Sequence, residues 1–99
     1  MSREEILRIL RAELPALRSE FGVRSVGIFG SCARGTQTDT SDVDIIAEFE
    51  RPIGLRFVDF SEHIERILGR RADILTPAGL ASIRNPRIAD SVKRSLIYV

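Results

Sequence analysis

Apolar residues recur near the start of the chain at three- and four-residue steps: Ile6, Leu7, Leu10, Leu14 and Leu17. That spacing puts them on one face of an α-helix. Ser2 and Glu5 stand at the S-x-x-E spacing of a capping box, so the helix should begin at once. Pro15 cannot donate a backbone hydrogen bond, which predicts a break or kink near Glu13 and a short helical turn beyond it. Gly22 then closes the helical region. The period changes from 3.6 to 2 at residues 23–29, VRSVGIF, a short β-branched and aromatic run that reads as a strand. Residues 31–35 read as a short helix or turn, and TQTDTS at 36–41 as a polar loop. DVDIIAEFE, 42–50, is a second strand, and Pro52 and Gly54 mark a turn. Residues 55–69 form a second amphipathic helix with Phe57, Phe60, Ile64, Ile67 and Leu68 on one face and Gly69 as its C-cap. RADILT, 71–76, is a third strand; one or two short helices follow, and LIYV at 96–99 reads as a terminal strand.

The order helix, strand, turn, strand, helix, strand, helix implies an α/β (α+β) chain: a small mixed sheet packed by helices. With 99 residues, no repeat and no linker, one domain over 1–99 is expected. A hydrophobic share of 43% supports a packed core. Fifteen basic and 14 acidic residues leave a net charge of +1, which excludes the broad basic excess of a general nucleic-acid binder but not the binding of one nucleotide. Lys93 is the one lysine, and the arginine excess reads as a compositional bias, not a site. Cys32 is the sole cysteine, so no internal disulfide or cysteine zinc site can form. The charged, helical start is no signal peptide and no apolar run spans a bilayer, so a cytoplasmic protein is expected.

Chemistry concentrates in residues 30–44, GSCARGTQTDTSDVD. On a strand, Asp42 and Asp44 project from one face, while Val43, Ile45, Ala47 and Phe49 project from the other. Two adjacent carboxylates raise each other's pKa unless a cation screens them. A hard divalent ion such as Mg²⁺ or Mn²⁺ does so and usually shares its oxygen ligands with substrate phosphates. Gly30 lets backbone approach a ligand closely, and successive amides with the Ser31 hydroxyl can hold phosphate oxygens. Arg34 adds charge one turn on. No Walker A lysine follows. Asp73, an acid amid Ala72, Ile74 and Leu75, is the candidate third carboxylate, able to share a metal and accept a hydroxyl proton.

Gly30-Ser31, then Asp42-x-Asp44, then Asp73 in a strand resembles the active-site signature of the DNA polymerase β-like nucleotidyltransferase superfamily. GSCARG…SDVDIIAEFE and RRADILTP are similar to its minimal nucleotidyltransferases, the MntA-type antitoxins, over nearly the whole chain. The resemblance implies the small mixed-sheet core and metal-dependent transfer of AMP from ATP with release of pyrophosphate. Asp42, Asp44 and Asp73 would bind the metals, Asp73 would also activate the acceptor hydroxyl, and Gly30, Ser31 and Arg34 would hold the β- and γ-phosphates. It also implies a hetero-oligomer with a HEPN-domain RNase toxin, adenylylated on tyrosine in some members.

The remaining residues carry blander readings. His63 reads as a partly exposed helix residue, Cys32 as a small filler with nothing to activate it, and Asp59, Glu62 and Arg66 as surface pairs. Tyr98 packs or meets a partner. A second function stays open at this point: a binding module that neutralises its partner by contact, with an idle or regulatory nucleotide site.

Overall fold

The computed structural model describes residues 1–38 and 40–99, so Asp39 of the polar loop lies outside the described residues. The chain runs α1 (Arg3–Phe21), β1 (Val23–Phe29), α2 (Gly30–Arg34), β2 (Val43–Phe49), α3 (Arg56–Leu68), β3 (Ala72–Leu75), α4 (Pro77–Ala81), α5 (Pro86–Ser95) and β4 (Ile97–Tyr98). The strands form one mixed sheet in the order β3-β2-β1-β4. β2 runs antiparallel to β1 and parallel to β3, and β4 pairs antiparallel with β1.

The capping box forms: the Glu5 amide donates to Ser2 Oγ at 3.1 Å, and the Ser2 amide to Glu5 Oε1 at 3.4 Å. The expected break near Glu13 does not. α1 is one helix of 19 residues with Pro15 inside it. Pro15 and the residue whose carbonyl it leaves without a helical donor, Arg11, are both exposed, so water can serve that carbonyl. Leu10 before the proline and Leu17 after it are fully buried, so packing seats both halves on the same sheet. Gly22 ends the helix in the left-handed conformation, as expected.

The helix-facing side of the sheet follows the period-2 pattern. Val43, Ile45 and Ala47 of β2 are fully buried with Val26 and Ile28 of β1, against Ile6, Leu10 and Leu17 of α1 and Phe60, Ile64 and Leu68 of α3. Val23 is buried too, although it is out of phase with Val26. The register shifts between Val23 and Ser25, and this irregularity re-aims Val23 into the core while Arg24 stays outside and pairs with Glu50 at 3.0 Å. Phe60 is the hub of the aromatic cluster, edge-on to Phe21 at 5.3 Å and to Phe49 at 5.0 Å. The surface pairs expected of Asp59, Glu62 and Arg66 are absent: all three are exposed, and among the described residues no ion pair joins them. Solvated side chains gain too little from pairing to hold one geometry. His63 is partly buried, with Nε2 3.8 Å from Glu13 Oε1.

The opposite face of the sheet carries Gly27 and its register partner Ile46. Gly27 sits there because β4 crosses close by: a Cβ would lie 2.9 Å from the Ile97 carbonyl oxygen and 3.1 Å from the Tyr98 ring. Among the described residues no helix is long and apolar enough to cross a membrane.

Phe60→Ala should cost about 3–5 kcal/mol, the range for emptying a buried aromatic position. Urea unfolding followed by circular dichroism checks this. A loss below about 1 kcal/mol would show that α3 does not depend on the Phe21–Phe49–Phe60 cluster.

Candidate active site

Sheet register builds the site. Asp44 is the partner of Phe29, the last residue of β1, and on its other side of Asp73 in β3. Neighbouring strands lie about 4.8 Å apart, so Asp44 and Asp73 stand side by side, and Gly30 follows directly on the row. Asp42 lies one residue before β2 begins, still next to Asp44's face. The three aspartates expected to act together are thus brought together. Their exposure differs: Asp42 and Asp44 are half-buried, whereas Asp73 is exposed on β3, the edge strand.

Burial raises the Asp44 pKa above its ordinary value, and the neighbouring charges of Asp73 and then Asp42 push it the same way; Arg34 opposes them. The site therefore holds crowded carboxylates with a nearby guanidinium as partial compensation. Burial likewise raises the Cys32 thiol. Cys32 is fully buried and donates to the Asp42 carbonyl at 3.7 Å, so it packs beneath the site as a neutral filler.

All-oxygen donors under mutual repulsion fit a hard divalent cation. Among the described residues no three His, Cys, Asp or Glu side chains converge to cage an ion by themselves. Mg²⁺ takes one or two carboxylates and completes its shell with water and phosphate oxygens. Asp42 and Asp44 would be the ligands, with Asp73 beside them. A bound cation would stabilise the ionised carboxylates and polarise a phosphoryl oxygen.

The Gly30-Ser31 turn differs in one respect from expectation. Gly30 does not offer its amide to a ligand: it donates to Ser95 Oγ at 2.9 Å, and that hydroxyl donates in turn to the Val92 carbonyl at 3.1 Å. The C-terminal end of α5 is fastened to the turn. Gly30 is required for another reason. Its φ is +69°, and a Cβ there would run into the Asp44 carboxylate. Glycine lets the turn and the aspartate occupy adjoining space.

Three supporting residues escaped the sequence reading. Arg70 Nη2 donates to the Ser41 carbonyl at 2.6 Å and the Thr38 carbonyl at 3.0 Å, clamping the loop that delivers Asp42. Glu65 Oε2 accepts from the Ala72 amide at 2.8 Å, fixing the start of the strand that carries Asp73. Ser95 is the third. Arg70 and Ser95 act across 29 and 65 residues of chain and Glu65 across seven, and no helical or strand period marks any of them. On the other side of Asp42 a groove of about 600 Å³ opens, lined by Thr40, Ser41, Asp42, Gly69 and Arg71 among others.

Residues 7–99 match the nucleotidyltransferase domain family. The protein adenylyltransferase MntA of Thermococcus cleftensis is 42% identical over 100 aligned residues, covering 100% of this chain and 97% of the relative. A solved structure described as a minimal nucleotidyltransferase superposes with a TM-score of 0.73 at 32% identity, covering 98% of this chain and 95% of the other. A toxin–antitoxin structure with AMP-PNP has a TM-score of 0.62 at 19% identity, covering 99% of this chain and 72% of that one, a likeness of fold.

Two glycines separate backbone strain from collision. Gly30 and Gly35 both have positive φ, but nothing lies within 4 Å of a Cβ at Gly35. Gly35→Ala should lose about 1–2 kcal/mol of stability, the left-handed penalty, and Gly30→Ala more, because its Cβ also meets the Asp44 carboxylate. Only Gly30→Ala should weaken Mn²⁺ binding, by at least about tenfold, as read by Mn²⁺ titration of the folded variants. Unchanged Mn²⁺ affinity in Gly30→Ala would refute the coupling of the turn to Asp44.

Proposed function

Because this chain belongs to the nucleotidyltransferase domain family, and is a nucleotidyltransferase on that ground, we propose that it transfers AMP from ATP to a hydroxyl, of tyrosine type, on a HEPN-type toxin in the cytoplasm, acting as that toxin's antitoxin. One observation carries this reading: the register that sets Asp44 against Asp73, with Asp42 and Gly30 at the same end of the sheet. The name of the MntA relative supports a protein acceptor, and the toxin–antitoxin neighbour with its nucleotide analogue supports a toxin partner.

The reaction joins the acceptor hydroxyl oxygen to the α-phosphorus and breaks the bond from that phosphorus to the oxygen bridging to the β-phosphorus. The electron pair leaves on pyrophosphate, and the hydroxyl proton passes to a base. The family's divalent metal, bound with the nucleotide, would polarise the α-phosphoryl group. Asp42 and Asp44 would hold the divalent metal that accompanies the triphosphate. Asp73 is exposed on the open edge of the sheet, where a hydroxyl from a docked partner can reach it, and its carboxylate takes the proton. Ser31 and Arg34 hold phosphate oxygens on the other side.

The test combines the purified chain, the product of its neighbouring gene, Mg²⁺ and α-labelled ATP, with intact mass and gel as readouts. Label should appear on the partner and fall by at least about 100-fold in Asp42→Asn and in Asp44→Asn. EDTA should abolish it. A folded, partner-bound chain that transfers no label from any nucleoside triphosphate, yet still neutralises the toxin, would replace this reading with inhibition by contact.

A further inference from the structure

Two adjoining cavities lie between α2 and α5, of about 330 and 260 Å³. Both are lined by Arg34, Ser91 and Ser95. Arg94 adds to the first, and Arg87 and Gly30 to the second. Across the two cavities, three arginines and two serines line the walls, and no Asp or Glu does. Asp90, the one acid on α5, lines neither cavity. Like charges gathered on one wall repel unless an anion sits among them. Arginine suits a phosphate best, through paired donors in a fixed plane.

The space also begins at the right place. Gly30 lines it and directly follows Phe29, the register partner of Asp44. An anion that starts at the carboxylate end and extends past Gly30 enters among Arg34, Arg87 and Arg94. The Ser95–Gly30 hydrogen bond fixes α5 to the turn, so the α5 arginines keep a set position relative to the aspartates.

Resting on the nucleotidyltransferase reading above, we propose that Arg87 and Arg94 of α5, with Arg34, form the pocket for the terminal phosphates of the nucleoside triphosphate and so make the site select triphosphates over monophosphates. The same groups neutralise the charge that collects on pyrophosphate as it leaves. The arginine excess read from composition as a bias has, at Arg87 and Arg94, a specific task.

The test measures binding of ATP, AMP and inorganic pyrophosphate with Mg²⁺ at fixed low salt, for the parent chain, Arg87→Ala, Arg94→Ala and the double variant. Lys93→Ala is the control: it removes the same charge from α5, but Lys93 lines neither cavity. All these positions are exposed, so folding should survive, and circular dichroism verifies it. Each arginine variant should lose about tenfold in ATP and pyrophosphate affinity with AMP affinity unchanged, and Lys93→Ala should match the parent. An unaltered ATP-to-AMP preference in the folded double variant would overturn this proposal and leave the nucleotidyltransferase reading standing. A parent chain that binds none of the three ligands would overturn both.

Discussion

The pairing of β2 with β3 sets the geometry on which the rest of the site depends. Parallel strands cannot be joined by a tight turn, so the chain must cross over between them, and α3 makes that crossing. Parallel pairing also aligns like ends of the two strands. Asp44 and Asp73 are each the second residue of their strand, and each therefore lies at the same end, side by side. An antiparallel β3 would carry its early residues to the far end of β2. Glu65 and Arg70 reinforce this pairing from both sides, one by accepting from the first amide of β3 and the other by clamping the loop that leads to β2. The residues on the reverse of β2 are fully buried against α1 and α3, which anchors the strand that carries Asp44.

A second constraint is space. The turn after β1 must pass within contact distance of Asp44, which only a residue without a side chain allows. That turn is not free-standing. Its amide is tied to Ser95, at the end of α5, and the next element, β4, pairs back onto β1 beside Gly27. The C-terminal segment thus closes the sheet edge and the active-site turn in one continuous stretch. Hydrogen bonding here replaces a ligand contact that the glycine amide would otherwise offer, so rigidity of the turn is obtained at the expense of one donor.

Much of this was legible in the sequence because it is local. The α1 capping box, the strand at 23–29, the α3 face around Phe60 and the Gly22 and Gly69 caps all follow from spacing within a few residues. Asp73 stood out because an acid amid Ala72, Ile74 and Leu75 is out of character for its strand. Pro15 misled because its local penalty is real but is outweighed by the burial of Leu10 and Leu17 on either side, a tertiary quantity. The register irregularity at Val23 is hidden for the same reason: residue type alone does not say which valine is out of phase. Strand order, the parallel pairing, and the contacts of Arg70 and Ser95 join residues 29 positions apart or more, and no periodicity records them.

A net charge of +1 conceals how the charge is arranged. Carboxylates gather at the ends of β2 and β3, and guanidinium groups gather across Gly30 at α2 and α5. Arg34 is near enough to lower the Asp44 pKa, but not enough to cancel burial and the other two aspartates. A bare anion entering this site meets three carboxylates, and a bare cation meets three arginines. A ligand that is cationic at one end and anionic at the other meets neither penalty, and a metal-bound triphosphate has that polarity. On the proposed reading, metal and nucleotide each improve the site for the other, because each removes a repulsion the other would face. Separated clusters of opposite charge, held apart by one glycine, thereby favour the complete substrate over either of its parts.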